Sequence, residues 1–168
     1  LGFVIADVSG KGISAAFIMA EVKGIFESLS RIFTSSKELL SKVNDTLKGS
    51  LDKKDFVTAL YGIIDTNENK LNYARAGHTQ LMFIRDKEVN LLKPAGMGLG
   101  LDFTGNFFDS MVEEEIELKE NDLLVLFTDG IPESKNVENE EFGYERFKEA
   151  ILNNIDKGLE DISNSIMQ

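Results

Sequence analysis

Apolar residues recur along this chain with two different periods, and the switches between them lay out its elements. Residues 1 to 8 hold a short apolar run, Phe3, Val4, Ile5 and Val8, which predicts a buried strand ended by Ser9-Gly10-Lys11-Gly12. From Ile13 to Phe33 the period becomes helical: Ile18, Val22, Ile25, Leu29 and Ile32 recur, with Glu21, Lys23, Glu27 and Arg31 between them. A helix of roughly 21 residues would be about 31 Å long. Thr34-Ser35-Ser36 interrupts it. Ser35 and Glu38 then stand at capping-box spacing before Leu39, Leu40, Val43 and Leu47, so a second amphipathic helix is predicted, stopping near Gly49.

Beyond Gly49 the period shortens again. Phe56 to Ile64 is rich in β-branched and aromatic residues, and the cluster Thr66-Asn67-Glu68-Asn69 turns it into Lys70 to Ala76, a hairpin. Gln80 to Arg85 and Glu88 to Leu92 form a second pair around Asp86-Lys87. Met111 to Leu118 and Leu123 to Thr128 form a third around Lys119-Glu120-Asn121-Asp122. Links this short demand antiparallel pairing, because a parallel crossover takes a dozen residues or more. Pro94 to Asn106 is glycine-rich and predicts an irregular loop, whereas Phe142 to Asn154 and Leu159 to Met167 predict closing helices. Strand, two helices, an antiparallel meander and further helices make an α+β domain with helices packed on sheet faces. No repeat or low-complexity tract divides it. The chain opens inside an apolar run with no initiator Met, so residues 1–168 are expected to be one incomplete domain of a longer protein.

Composition narrows the chemistry. The 168 residues include no Cys and one His, and 18 Lys and Arg face 29 Asp and Glu, a net charge of −11. Lack of Cys removes thiol nucleophiles and every Cys-based metal site. A charge of −11 without a basic cluster argues against nucleic acid, whose phosphates demand clustered cations. No apolar run approaches the roughly 20 residues of a membrane span, and no signal peptide is recognisable, so a cytoplasmic protein is expected.

Two acids stand at strand ends before glycine loops: Asp7 closes the first strand, and Asp129 closes Leu123 to Thr128 before Gly130. Strand-end carboxylates on a rigid sheet suit hard cations such as Mg²⁺ and Mn²⁺. They equally suit turns, where Asp satisfies nearby backbone N–H groups. The loop Ser9-Gly10-Lys11-Gly12 is not a Walker phosphate cradle, since Ile5 and Gly12 occupy the places of the first glycine and of the Ser or Thr. No G-x-S-x-G elbow is present. His78, at a turn in Ala76-Gly77-His78, fits a structural hydrogen bond as well as it fits a substrate or water contact. Glu113-Glu114-Glu115, between Val112 and Ile116, predicts the solvated face of an edge strand, and the scattered Met residues predict core filler.

Five segments in order carry a resemblance. Ile5-Ala6-Asp7-Val8-Ser9-Gly10-Lys11-Gly12 with Ser14-Ala15-Ala16, Thr58-Ala59-Leu60-Tyr61-Gly62, Ala76-Gly77-His78, Gly98-Leu99-Gly100, and Phe127-Thr128-Asp129-Gly130-Ile131-Pro132-Glu133 resemble the bacterial branch of the metal-dependent protein phosphatases (PPM). That branch contains the catalytic domains of stage II sporulation protein E and of the RsbU-type stress regulators. The resemblance implies two antiparallel sheets between outer helices, truncated here at both ends, and a site for two Mn²⁺ or Mg²⁺ ions where strand ends meet.

It also implies roles. Asp7 would be a bridging carboxylate, Val8 would offer its backbone carbonyl to one metal and Asp129 would bind the other, making Asp7 and Asp129 the catalytic pair. Gly10 and Gly12 would keep the loop small enough for substrate, with His78 a weaker substrate contact. Water activated between two cations would attack phosphoserine or phosphothreonine in line on a regulatory protein such as an anti-sigma-factor antagonist. A sensor module upstream in the same polypeptide is a further implied partner. The family's Gly-Gly-Asp type motif upstream and Asp-Asp type motif downstream would both lie outside residues 1–168. A catalytically silent domain that binds a regulatory partner is the alternative.

Overall fold

A computed structural model describes residues 1–52, 54–101 and 105–167. Its elements are β1 (Gly2–Val8), α1 (Ile13–Leu29), α2 (Ser36–Leu47), β2 (Val57–Asp65), β3 (Lys70–Ala76), β4 (Leu81–Arg85), β5 (Glu88–Leu92), β6 (Glu113–Glu117), β7 (Leu123–Val125), α3 (Tyr144–Leu152) and α4 (Leu159–Ile166). The strands form a sheet of order β1-β2-β3-β6 and another of order β5-β4-β7, antiparallel throughout.

Alternation along each strand sorts its side chains onto two faces, and three apolar layers result. Ala59, Tyr61 and Ala74 of the larger sheet pack against Val22 and Phe26 of α1 and Leu39, Leu40, Val43 and Leu47 of α2. The opposite face presents Leu60, Leu71 and Tyr73 to Leu81, Leu92 and Leu124 of the smaller sheet. Met82 and Ile84, on that sheet's far side, pack with Phe127 against Phe147, Ile151 and Ile162. The architecture is helix, sheet, sheet, helix, as expected.

One expected pairing fails: β6 and β7 do not form a hairpin, because β6 adds to β3 and β7 to β4, so the short turn at Lys119–Asp122 crosses from one sheet to the other. Three elements also depart from their predicted form. The first strand is an edge, not a buried strand: β1 pairs only with β2 among the described residues, Leu1, Gly2, Val4 and Asp7 are exposed, and only Val8 is buried. Its apolar run lines a groove of about 620 Å³ shared with α1. The first helix ends at Leu29 rather than Phe33, because the N–H groups of Ile32 and Phe33 both turn back to the Leu29 carbonyl. Ile32 is consequently exposed while Phe33 packs on the core. Pairing of β7 stops at Val125, where the ladder ends on Met82↔Val125, so Leu126 to Thr128 continue unpaired.

The acidic run is split by the structure. β6 is an edge strand and Glu114 and Glu115 are exposed, as predicted, but Glu113 turns inward. Its Oε1 accepts from the hydroxyls of Ser35 (2.8 Å) and Ser36 (2.9 Å) and from the Lys37 N–H (2.9 Å). Ser35 in turn accepts the Glu38 N–H at 3.1 Å, the predicted cap. Pro94 to Asn106 holds no named strand, although Leu99 exchanges backbone bonds with Val57; its residues 102–104 lie outside the described residues. No helix among the described residues is long and apolar enough to cross a membrane.

Candidate functional site

The two strand-end acids come from different sheets. Asp7 is the last residue but one of β1 and stands opposite Thr58 of β2. Asp129 lies in the turn four residues beyond β7. Between the sheets runs Gly77-His78-Thr79, which leaves β3 and enters β4. All three segments meet at a cavity of about 190 Å³, with Ser9, Phe56 and Thr58 completing its wall. The larger groove along β1 and α1 is mainly apolar and is lined by neither Asp7 nor Asp129, which makes the smaller cavity the candidate site.

Both carboxylates are exposed and, among the described residues, neither is engaged in a side-chain hydrogen bond or ion pair. The turn around Asp129 is closed by backbone alone, Glu133 N–H to the Asp129 carbonyl at 2.9 Å. A turn acid would spend its oxygens on such N–H groups. These oxygens remain available to a ligand.

Backbone direction adds an acceptor. Leu1 and Ile64 exchange both bonds (2.8 and 2.7 Å), and the Ser9 N–H reaches Phe56 at 2.9 Å, so the odd-numbered residues of β1 face β2. Even-numbered Val8 therefore directs its carbonyl to the open edge, beside Asp7. Two free carboxylates, an outward carbonyl and the hydroxyls of Ser9 and Thr58 form an oxygen donor set, the kind that hard divalent cations take. It is a partial set, since no group of three or more His, Cys, Asp or Glu converges among the described residues.

His78 is 4% exposed. Its Nδ1 is hydrogen-bonded to the Thr58 hydroxyl at 2.9 Å, and Nε2 has no hydrogen-bond partner among the described residues. Burial pushes the ring's pKa down, against the Phe127 carbonyl and the charges of Asp7 and Asp129, so the imidazole is neutral at pH 7. Arg75, itself buried, donates from Nη1 to the His78 carbonyl (2.8 Å) and from Nε to Pro94 (3.0 Å). Gly77 has φ +73°, and a Cβ there would lie 3.0 Å from the Gly98 backbone; only glycine fits both demands.

Asp7, Asp129 and His78, singled out in the sequence, thus share one wall. Gly10 and Gly12 do not line the cavity; their φ values of +93° and +85° and the open space around them make their glycine character conformational. Ser9 lay inside the first motif but had no implied role there, and Phe56 and Thr79 carried no sequence signal beyond nearness to motif residues. Thr58, although inside a motif, becomes a site residue only through its register with Asp7.

A helix–sheet–sheet–helix sandwich with uncommitted carboxylates from both sheets at one end defines a class, the PP2C-like phosphatase fold. The chain belongs to the stage II sporulation protein E (SpoIIE) family, whose model matches residues 1–168. It is 27% identical over 135 residues to the phosphoserine phosphatase RsbU of Bacillus subtilis (strain 168), covering 80% of this chain and 40% of RsbU. This chain therefore spans about two fifths of that relative. In fold it is similar to the SiaA-PP2C domain of Pseudomonas aeruginosa, with a TM-score of 0.83 at 18% identity over 99% of this chain and 66% of that one. The catalytic domain of the serine/threonine protein phosphatase PstP in complex with 2 manganese ions matches at a TM-score of 0.64 and 13% identity, over 99% and 79% of the two chains.

Proposed function

We propose that residues 1–168 are an incomplete phosphatase domain of a longer cytoplasmic protein that removes phosphate from phosphoserine or phosphothreonine on a regulatory signalling protein, such as an anti-sigma-factor antagonist. The observation that carries this reading is the convergence of Asp7 and Asp129, from two sheets and free of other bonds, on one cavity. Membership of the SpoIIE family and the phosphoserine activity named for RsbU support the substrate class. The manganese held by PstP supports Mn²⁺ or Mg²⁺ as the cofactor.

In this reading Asp7, the Val8 backbone carbonyl and Asp129 would hold the two ions, with Asp7 the ligand shared between them. Bound cations supply the acidity that makes water a nucleophile and the charge that offsets the phosphoryl oxygens. Gly10 and Gly12 bring backbone, not side chains, to the substrate's side of Asp7. The first turn of α1 follows with no side-chain cap and no acid, which suits an anion. His78 touches the cavity from a buried position. The remaining ligands and a sensor module would be supplied by polypeptide outside these residues.

Asp129→Asn in the full-length protein tests the reading. Losing a ligand worth several kcal/mol in the transition state should lower Mn²⁺-dependent phosphate release from a phosphoserine protein by on the order of 10²-fold or more. Undiminished turnover would refute the assignment. The partial donor set favours one other reading, a silent domain that binds a regulatory partner; its signature is a full-length wild-type protein that binds phosphoprotein and releases no phosphate at any Mn²⁺ or Mg²⁺ concentration.

A further inference from the structure

Because Asp7 and Asp129 belong to different sheets, the separation of their carboxylates depends on what couples the sheets at this end. Gly77-His78-Thr79 crosses there, and its two side chains are fastened one to the strand paired with that of Asp7 and the other to the segment carrying Asp129. His78 Nδ1 meets the Thr58 hydroxyl at 2.9 Å, and Thr58 is the register partner of Asp7, its Oγ1 lying 3.5 Å from the Asp7 carbonyl oxygen. Thr79 Oγ1 donates to the Phe127 carbonyl at 2.5 Å, two residues before Asp129. Beyond Val125 the segment carrying Asp129 has left the β-ladder, so the Thr79 bond fastens a stretch that strand pairing no longer holds.

The crossing is itself clamped. Arg75 Nη1 holds the His78 carbonyl at 2.8 Å, the Gly77 N–H reaches Gly96 at 3.1 Å, and the close approach of Gly77 to Gly98 leaves no room for a side chain. We propose that Gly77-His78-Thr79 is a strap that sets the spacing of Asp7 and Asp129, with His78 and Thr79 acting as positioning residues through Thr58 and Phe127 rather than as ligands. This rests on the reading that both carboxylates hold divalent cations. A side chain that orients a ligand from behind typically governs metal affinity by about 10- to 100-fold without touching the ion. A pin between sheets with no such role would alter stability alone.

The test is calorimetric Mn²⁺ titration of the full-length protein, beside metal-free thermal unfolding. Thr79→Val keeps the volume and removes the donor; His78→Leu removes the bond to Thr58. Each should weaken Mn²⁺ binding at least tenfold while the metal-free protein still unfolds cooperatively. Thr79→Ser, which retains the hydroxyl, and His78→Asn, whose Oδ1 stands near the place of Nδ1, should recover most of the affinity. Unchanged Mn²⁺ affinity in folded Thr79→Val protein overturns the strap, even if its melting temperature falls. Should His78→Leu not fold, Thr79→Val and its serine rescue decide alone. If wild type binds Mn²⁺ but hydrolyses no phosphoprotein, the phosphatase reading fails and the strap stands; if wild type binds no Mn²⁺, both fail.

Discussion

Glu113 shows how little a single acid's sequence surroundings can reveal about its use. Glu113 sits in a run of three glutamates that alternation assigns to solvent, yet it accepts three hydrogen bonds from the start of α2. Burial alone would push its carboxyl up, but the Lys37 N–H, the Ser35 and Ser36 hydroxyls and Asn72 outweigh that and hold it below its ordinary value. Its partners at the start of α2 lie 76 to 78 positions away, beyond the reach of any local pattern. Glu113→Gln weakens these charge-assisted bonds and should cost about 1–2 kcal/mol in urea unfolding, the lower part of the range for bonds to a charged group because the site is half open. A midpoint within error of wild type would mean the cap is idle. The place of Asp129 on the cavity wall is the opposite case: its motif is local, and among the described residues its carboxylate makes no side-chain hydrogen bond or ion pair.

At the scale of elements, two of the three expected hairpins were legible; the third was not, because β6 and β7, though joined by a short turn, pair with β3 and β4 in different sheets. Asp86 and Lys87 adopt φ values of +51° and +66°, and Asn69 +52°, so the turns named in the sequence are the turns that pair β4 with β5 and β2 with β3. Nothing in Phe3 to Val8 says whether a second strand lies alongside, so the edge position of β1 appears only in the assembled sheet. The same gap separates the two long helices. Apolar positions predicted both, but α2 buries Ser36, Leu39, Leu40, Val43, Asn44 and Leu47 within 12 residues, whereas α1 buries only Val22 and Phe26 within 17 and leaves Ile13 and Phe17 exposed. Buried area sets how much of the molecule must open before an amide exchanges. In hydrogen exchange of this chain, α1 amides should therefore lose protection well before those of α2. Equal protection would show that α1 opens only with the whole domain.

For the whole molecule, two electrostatic effects oppose each other as pH falls. At pH 7 a net charge of −11 disfavours the compact state, and protonation toward the isoelectric point near 4.6 relieves that repulsion. Against it stand individual carboxylates whose charged form the fold holds. Asp122 is held below its ordinary 3.8 first by the Arg85 guanidinium, at 2.6 and 2.8 Å, and its side chain is only 4% exposed. Glu113 is held below its ordinary 4.5. A carboxyl with a depressed folded pKa stabilises fully above its unfolded pKa and loses that contribution as pH drops through the folded value. The relief of general repulsion is spread over many weakly coupled surface groups, whereas the loss is concentrated in two half-buried contacts that tie α2 to β6 and β4 to the β6–β7 turn. Metal-free stability of this chain should thus vary little from pH 8 to about 5 and fall steeply below about 4.5, where unfolded Glu and Asp take up protons that the folded groups refuse. Urea midpoints across that range check it, with Glu113→Gln as the control. The substitution should flatten part of the acid limb and leave the neutral limb parallel to wild type; stability that keeps rising below pH 4 would show that charge repulsion, not these two contacts, governs the fold.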